Sequence, residues 1–274
     1  MAIVTGASSG IGEATARRLS TAGYQVYAAA RRADRMSELA ALGITVLTMD
    51  VTSEDDVTAG VERVLGQSGR VDALVNNAGY GSFGALEDVP LSEARRQFEV
   101  NVFGLARLTQ LVLPAMRAQG AGRIVNVSSI GGKIYEPLGT WYHATKFAVE
   151  GLSDALRVEV RPFGIDVVVV EPGAIRSEWG AIAADHLKER SGTGPYADQA
   201  EAVAKVLSMY ERRPQLISGP DVVARAVVAA VTSSRPKTRY VVGRGARAIL
   251  GARWALPDRG FDRLLKVAYR LPGP

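Results

Sequence analysis

The sequence predicts a single α/β domain built on a doubly wound parallel sheet with helices on both faces. Short β-branched runs alternate with longer amphipathic stretches through most of the chain. The runs are continuously apolar rather than alternating, as strands buried on both faces must be. No internal repeat, low-complexity linker or composition break divides residues 1–235, so one core is expected there.

AIVT at 2–5 reads as the first strand and the amphipathic stretch 10–22 as the helix that follows it. QVYAAA (25–30) and TVLTMD (45–50) continue the sheet, and 54–66 reads as the next helix. DALVNN (72–77) precedes a long helical pattern over 92–118, and RIVNVS (123–128) precedes another over 141–161. DVVVVE (166–171), a helix over 199–212 and TRYVVG (238–243) complete the reading. Between Gly173 and Pro214 the regularity lapses, and an irregular segment over about 174–214 is expected to be a lid or disordered. Residues 236–274 are expected to hold the last strand and a basic extension.

At 274 residues, 47% hydrophobic and 22% charged, the chain can bury a large core. The absence of cysteine excludes disulfides and zinc-thiolate sites. His186 has no metal-like partner spacing, so no metal is expected. The N-terminus lacks the charged and apolar regions of a signal peptide. No apolar run approaches the roughly 20 residues that cross a bilayer, so a soluble, cytoplasmic protein is expected. The net charge of +5 divides into +8 over 235–274 and −3 elsewhere, which gives the main body no nucleic-acid-binding character.

TGASSGIG follows the first strand and opens a helix, with Gly6, Gly10 and Gly12 in the turn. Such a turn lets backbone N–H groups and a helix N-terminus approach a pyrophosphate. Polar or glycine residues recur where strands end: Gly6, Asp50, Asn77, Gly79, Ser129, Pro172 and Gly173. Ligands of open α/β sheets bind outside those carboxyl ends. Tyr142 and Lys146 stand one helical turn apart just after the fifth strand. An ammonium there is expected to pull the phenol's pKa down and make it an acid–base group. Ser129, thirteen residues before Tyr142, could hold a substrate oxygen beside it. His143 is the neighbour of Tyr142 on the helix and is expected to point elsewhere.

Together TGASSGIG, NNAG (76–79), Asn101 in FEVNVFG, Ser129 in IVNVSS, YHATK (142–146) and PGAIRS (172–177) resemble the short-chain dehydrogenases/reductases, in the right order over roughly residues 1–235. The resemblance implies a Rossmann-type fold, a homo-dimer or homo-tetramer, and catalysis by Asn101, Ser129, Tyr142 and Lys146. Tyr142 would be the general acid in reduction, Lys146 would depress its pKa and hold the nicotinamide ribose, and Ser129 would orient the substrate oxygen. Asn101 would support a water-mediated proton relay. Ser128 is the rival serine, disfavoured by its separation from the tyrosine. Cofactor contacts are expected from Gly6, Ser8, Ser9, Gly10, Ile11, Gly12, Asp50, Val51, Asn77, Ala78, Gly79, Tyr142, Lys146, Pro172, Gly173, Ile175 and Ser177. Ser177 stands where relatives usually carry threonine.

NAD-preferring folds place a carboxylate at the end of the second strand. This chain has Arg31 and Arg32 there, which suit the 2′-phosphate of NADP, NAD being the alternative. The segment after Gly173 covers the substrate in the family, so Trp179, Ile182 and Met209 are expected to line a pocket with Phe83, Tyr135 and Trp141. A bulky apolar ketone or alcohol would suit it. The reading is an oxidoreductase that interconverts a carbonyl and an alcohol. A non-catalytic dinucleotide-binding protein is the rival, and it would need no acid–base phenol. In 257–271, Phe261, Leu264, Leu265 and Ala268 form one helical stripe among basic residues. Packing on the domain is expected, with peripheral membrane contact as the alternative.

Overall fold

The computed structural model describes residues 1–176, 178–212 and 217–271, with backbone alone at 209–212. Ser177 and the Met209 side chain therefore lie outside the described residues. Seven parallel strands form one sheet in the order β3-β2-β1-β4-β5-β6-β7. They are β1 (Ala2–Thr5), β2 (Val26–Ala30), β3 (Thr45–Thr48), β4 (Ala73–Asn76), β5 (Gly122–Val127), β6 (Ile165–Pro172) and β7 (Arg239–Val242). The order reverses between β1 and β4, which opens a crevice at the carboxyl ends there.

Alternate strand residues feed two cores. Ala2, Val4, Val26 and Val168 pack with Leu19 of α1 (Gly10–Thr21) and with Val223 and Val227 of α9 (Asp221–Thr232). Ile3, Tyr27, Leu74 and Val167 pack on the other face with Val57 and Val61 of α3 (Glu54–Ser68) and Leu108 and Val112 of α5 (Gly104–Gln119). A short α2 (Ser37–Ala41) precedes β3. The two-faced burial explains the unbroken apolar runs.

Three helical features depart from the expectation. The pattern over 92–118 divides into α4 (Leu91–Phe98) and α5, joined by a π-helical turn at Glu99–Phe103. The stretch expected to be irregular holds α7 (Trp179–Ser191), which packs against α8 (Ala197–Arg212), the helix expected over 199–212. Their facing side chains include Ala183, Ala184, Ala200 and Ala204, whose small size leaves little hydrophobic signal. The unpredicted α9 is almost wholly Ala and Val (DVVARAVVAAVT), residues that read equally as strand or core. After β7 come α10 (Ala246–Ala255) and α11 (Asp258–Tyr269). The second of these packs on its own domain through Phe261 and Tyr269, both buried. Helix α6 (Thr140–Val160) carries the tyrosine and lysine.

Candidate active site

A cavity of about 910 Å³ opens at the carboxyl ends of the strands. It is lined by Gly6 after β1, Arg31 and Arg32 after β2, Asn77, Ala78 and Gly79 after β4, Ser129 after β5, and Pro172, Gly173 and Ile175 after β6. Ser9, Gly10, Ile11, Tyr142, Lys146 and Trp179 also line it.

Gly6 and Gly10 hold φ of 65° and 57°, the left-handed region that a side chain would strain. A Cβ on Gly12 would lie 2.2 Å from the Gly6 carbonyl oxygen, so this glycine lets the helix close on the turn rather than face the cavity. NNAG braces the same turn. The Asn77 amide donates to the carbonyls of Thr5 (3.0 Å) and Gly6 (3.3 Å). The Thr5 hydroxyl in turn accepts from the backbone N–H groups of Asn77 and Ala78, both at 3.0 Å. The cradle and the N-terminus of α1 fit the pyrophosphate of a dinucleotide.

The catalytic candidates are brought together from three elements. Ser129 is extended at the start of a short turn after β5, and its hydroxyl accepts from the Gly131 N–H at 3.0 Å. Tyr142 is buried. Burial lifts its phenol above the ordinary tyrosine range, a hydrogen bond with Ser129 opposes this, and the charge of Glu136 adds to it. The depression expected from Lys146 does not appear: the opposing influence on the phenol is the Ser129 hydrogen bond. Lys146 is itself brought down to about 8 by burial, against the attraction of Glu150 one helical turn further on. Its ammonium donates to the Val127 carbonyl at 3.0 Å.

Asn101 sits in the π turn with its amide fully engaged: it accepts from the Tyr80 N–H at 3.0 Å and donates to the Tyr80 carbonyl at 3.0 Å and the Thr145 hydroxyl at 3.1 Å. It ties the strand-end loop after β4 to α6 rather than lining the cavity. His143 accepts from the Glu136 N–H through Nε2 and donates to the Gly131 carbonyl through Nδ1, both at 2.9 Å. These bonds fix its tautomer and leave it no proton-transfer role. They also pin the loop between Ser129 and Tyr142. Ser128 is buried, with no partner for its hydroxyl among the described residues.

Ser8, Gly12, Asp50 and Val51, expected at the cofactor, do not line the cavity. The Asp50 carboxylate instead accepts from the N–H and hydroxyl of Thr52 at 3.0 and 2.8 Å. Of the expected substrate residues, Trp179 lines the cavity, and its ring centroid lies 5.1 Å from that of Tyr142. Phe83 backs both rings at 5.7 and 5.8 Å. Tyr135 lies outside the cavity, bonded to Asp262 and edge-on to Phe261, and Trp141 packs edge-on to Phe98. Gly81, Ile134, Leu207 and Ile217 are lining residues that the sequence reading missed. A Cβ on Gly81 would lie 2.3 Å from the Trp179 ring. Its one sequence signal is the second glycine of AGYGS.

Residues 1–187 match the family described as short chain dehydrogenase. The chain belongs to the short-chain dehydrogenases/reductases. It is an oxidoreductase of that family, whose members bind NAD or NADP. Among relatives of this short-chain dehydrogenase/reductase, the 3-ketodihydrosphingosine reductase of Bacteroides thetaiotaomicron is 34% identical, covering 98% of this chain and 97% of its own. The NADPH-dependent 3-dehydrocapnine reductase of Ornithobacterium rhinotracheale is 34% identical over 96% and 95%. A short-chain dehydrogenase of known structure from Streptomyces avermitilis superposes with a TM-score of 0.81 at 34% identity, covering 99% of this chain and 98% of its own.

Proposed function

We propose that the protein is an NADP(H)-dependent reductase of bulky, largely apolar ketones, with Tyr142 as the proton donor. The observation that carries this reading is the buried Tyr142 phenol, hydrogen-bonded with Ser129 at the cavity wall. The phenol holds its proton at neutral pH and can give it to a carbonyl oxygen placed beside it; burial makes that transfer harder, and the Ser129 hydrogen bond opposes burial. The bound dinucleotide would supply the hydride to the carbonyl carbon. Ser129 would hold the carbonyl oxygen against the phenol, and the Lys146 ammonium would favour charge on the oxygens beside it.

Arg31 supports the choice of NADP. β2 ends at Ala30, and no carboxylate follows before Asp34. Glu178, just ahead of the cap that α7 and α8 form at the cavity, pairs with Arg35 at 3.3 Å and approaches Arg32 at 4.0 Å. Arg31 has no ion pair among the described residues, and its guanidinium can fork onto a 2′-phosphate. One relative is named as NADPH-dependent, which agrees. Trp179, Ile182, Leu207, Ile217 and Ile134 give the cavity its apolar wall. Its volume lies in the range of sites that enclose a small molecule.

Initial rates of NADPH and NADH oxidation over ketones and aldehydes graded by size and polarity test the reading. Turnover with NADPH is expected to rise with apolar bulk. Equal rates with both cofactors, or turnover confined to small polar aldehydes, would overturn it.

A further inference from the structure

The C-terminal helices carry a surface that the oxidoreductase chemistry leaves unused. Residues 235–274 hold ten Arg and Lys against two Asp, a net charge of +8 in a chain of +5. Helix α11 is oriented by its buried side: Phe261 and Tyr269 are buried and Leu265 partly so. At 100° per residue, the opposite side carries Arg259, Arg263 and Arg270, all exposed. Val267 lies among them and is 76% exposed.

Trp254 of α10 is 90% exposed, and Arg247 shares its stripe seven residues earlier. The exposure is not a frayed end. The adjacent Arg253 is held over the rings of Tyr135 (5.6 Å) and Phe261 (5.5 Å) and bonds to Asp258 at 2.8 Å. The tryptophan is thus displayed from an anchored helix. Exposed indole and aliphatic side chains flanked by arginines match the polar–apolar boundary of a lipid headgroup layer. A nucleic-acid backbone would have no use for Val267 at the centre of the basic side. A second copy of this chain meeting the same face across a two-fold axis would set arginine against arginine.

We infer that α10 and α11 dock the protein on an anionic lipid bilayer, with Trp254 and Val267 entering the headgroup layer and Arg247, Arg259, Arg263 and Arg270 meeting lipid phosphates. The surface adjoins the cavity. Ile249 of α10 lines it, and the Tyr269 hydroxyl of α11 donates to Glu136, another lining residue. Docking goes beyond the proposed reductase activity and does not rest on it.

The test is sedimentation of the full chain with vesicles of phosphatidylcholine alone and of phosphatidylcholine mixed with phosphatidylglycerol. Binding only to the anionic vesicles is expected, released near 1 M salt, where screening acts within about 3 Å. The triple variant Arg259→Gln, Arg263→Gln, Arg270→Gln should bind about a hundredfold more weakly, at about 1 kcal/mol for each basic side chain at an anionic surface. Trp254→Ser should weaken binding and remove the blue shift of tryptophan emission that anionic vesicles produce. Unchanged thermal midpoints verify that both variants fold. Equal sedimentation with the two vesicle types, none with either, or an undiminished triple variant would overturn the inference. A fall in oligomer mass in Trp254→Ser, with vesicle binding intact, would assign the face to a second copy instead.

Discussion

At the carboxyl edge of the sheet, a methyl group added to Gly12 would stand 2.2 Å from the Gly6 carbonyl oxygen, whereas one added to Gly180 in the cap would come within 3.3 Å of a single atom, the Leu207 carbonyl oxygen. The same contrast runs through both walls of the cavity. At the edge, the Thr5 hydroxyl, the Asn77 and Asn101 amides and the His143 ring are each held by two or more hydrogen bonds. In the cap, α7 and α8 meet through Ala183, Leu187, Ala200, Val203 and Leu207, which interlock by shape alone. The end of α7 is again fixed by polar contacts: the Ser191 hydroxyl accepts from the Ala85 N–H at 2.9 Å and donates to Asp88 at 2.6 Å. The edge specifies atoms, and the contact between α7 and α8 specifies volume. Volume-conserving exchanges in such packing usually cost under about 1.5 kcal/mol, while a single misplaced donor at the edge removes a function.

Tyr142→Phe is the sharpest test of that contrast, because it deletes one oxygen and keeps the ring contacts with Phe83 and Trp179. Turnover is expected to fall at least a hundredfold, the lower range for a lost general acid, roughly 10²–10⁴. Dinucleotide binding, followed by fluorescence titration, should be nearly unchanged. A rate within tenfold of the unaltered protein would break both the comparison and the proposed proton donor.

Arg31→Ala examines the cofactor end of the same edge. A hydrogen bond to a charged group contributes about 1.5–3 kcal/mol, or roughly ten- to 150-fold in affinity. The unaltered protein is expected to prefer NADPH over NADH at least tenfold, and the variant to lose most of that preference through weaker NADPH binding alone. Weakening of both cofactors to the same degree would make Arg31 a general contributor to the loop rather than a phosphate ligand.

The contrast also explains what the sequence made legible. Gly6, Asn77, Ser129, Tyr142 and Lys146 were readable because backbone approach and proton transfer demand particular residue types at fixed spacings. Arg31, which lines the cavity, was a candidate because no carboxylate stands beside it in the sequence. Trp179 could be named as a candidate, but its seat on Gly81 depends on packing between distant segments, which no local pattern encodes. Tyr135 and Trp141 misled for the same reason: an aromatic residue beside a catalytic helix reads alike whether it faces a cavity or a neighbouring helix. The raised Tyr142 pKa was hidden because its largest cause is burial, a property of the whole fold. The π turn that seats Asn101 left no mark on the apolar periodicity of 92–118.

A third region, behind the edge, sharpens the comparison with the smallest expected effect. Glu150, one turn past Lys146, meets Arg239 at 3.0 Å and Lys133 at 3.3 Å, and Arg239 also binds Asp154 at 2.6 Å and Glu171 at 3.1 Å. Three carboxylates thus meet at Arg239, with Lys133 on Glu150 and Arg157 on Asp154 as further cations. Glu171, only 2% exposed, has Arg239 alone as its ion-pair partner among the described residues: burial first and then Glu150 push its pKa from the ordinary 4.5 up to about 7, against Arg239 and Lys133. Between about pH 4.5 and 7 the folded protein therefore holds a proton that the unfolded chain has lost. Stability falls as pH rises wherever the folded state binds more protons. This contribution is fully present below pH 4.5 and is lost as pH climbs through about 7. Asp154 is held below its ordinary 3.8, net of burial, by its bonds to Arg239 and Arg157, so its opposite slope acts at lower pH and does not mask the effect. Glu171→Gln keeps the shape of the protonated acid and cannot lose a proton. Its thermal midpoint is expected to gain on that of the unaltered protein by a few degrees as pH rises across this window, at roughly 2–4 °C per kcal/mol for a domain of about this size. Parallel midpoint curves for the two proteins would show that Glu171 does not change its ionisation across this window, and that Arg239 offsets its burial.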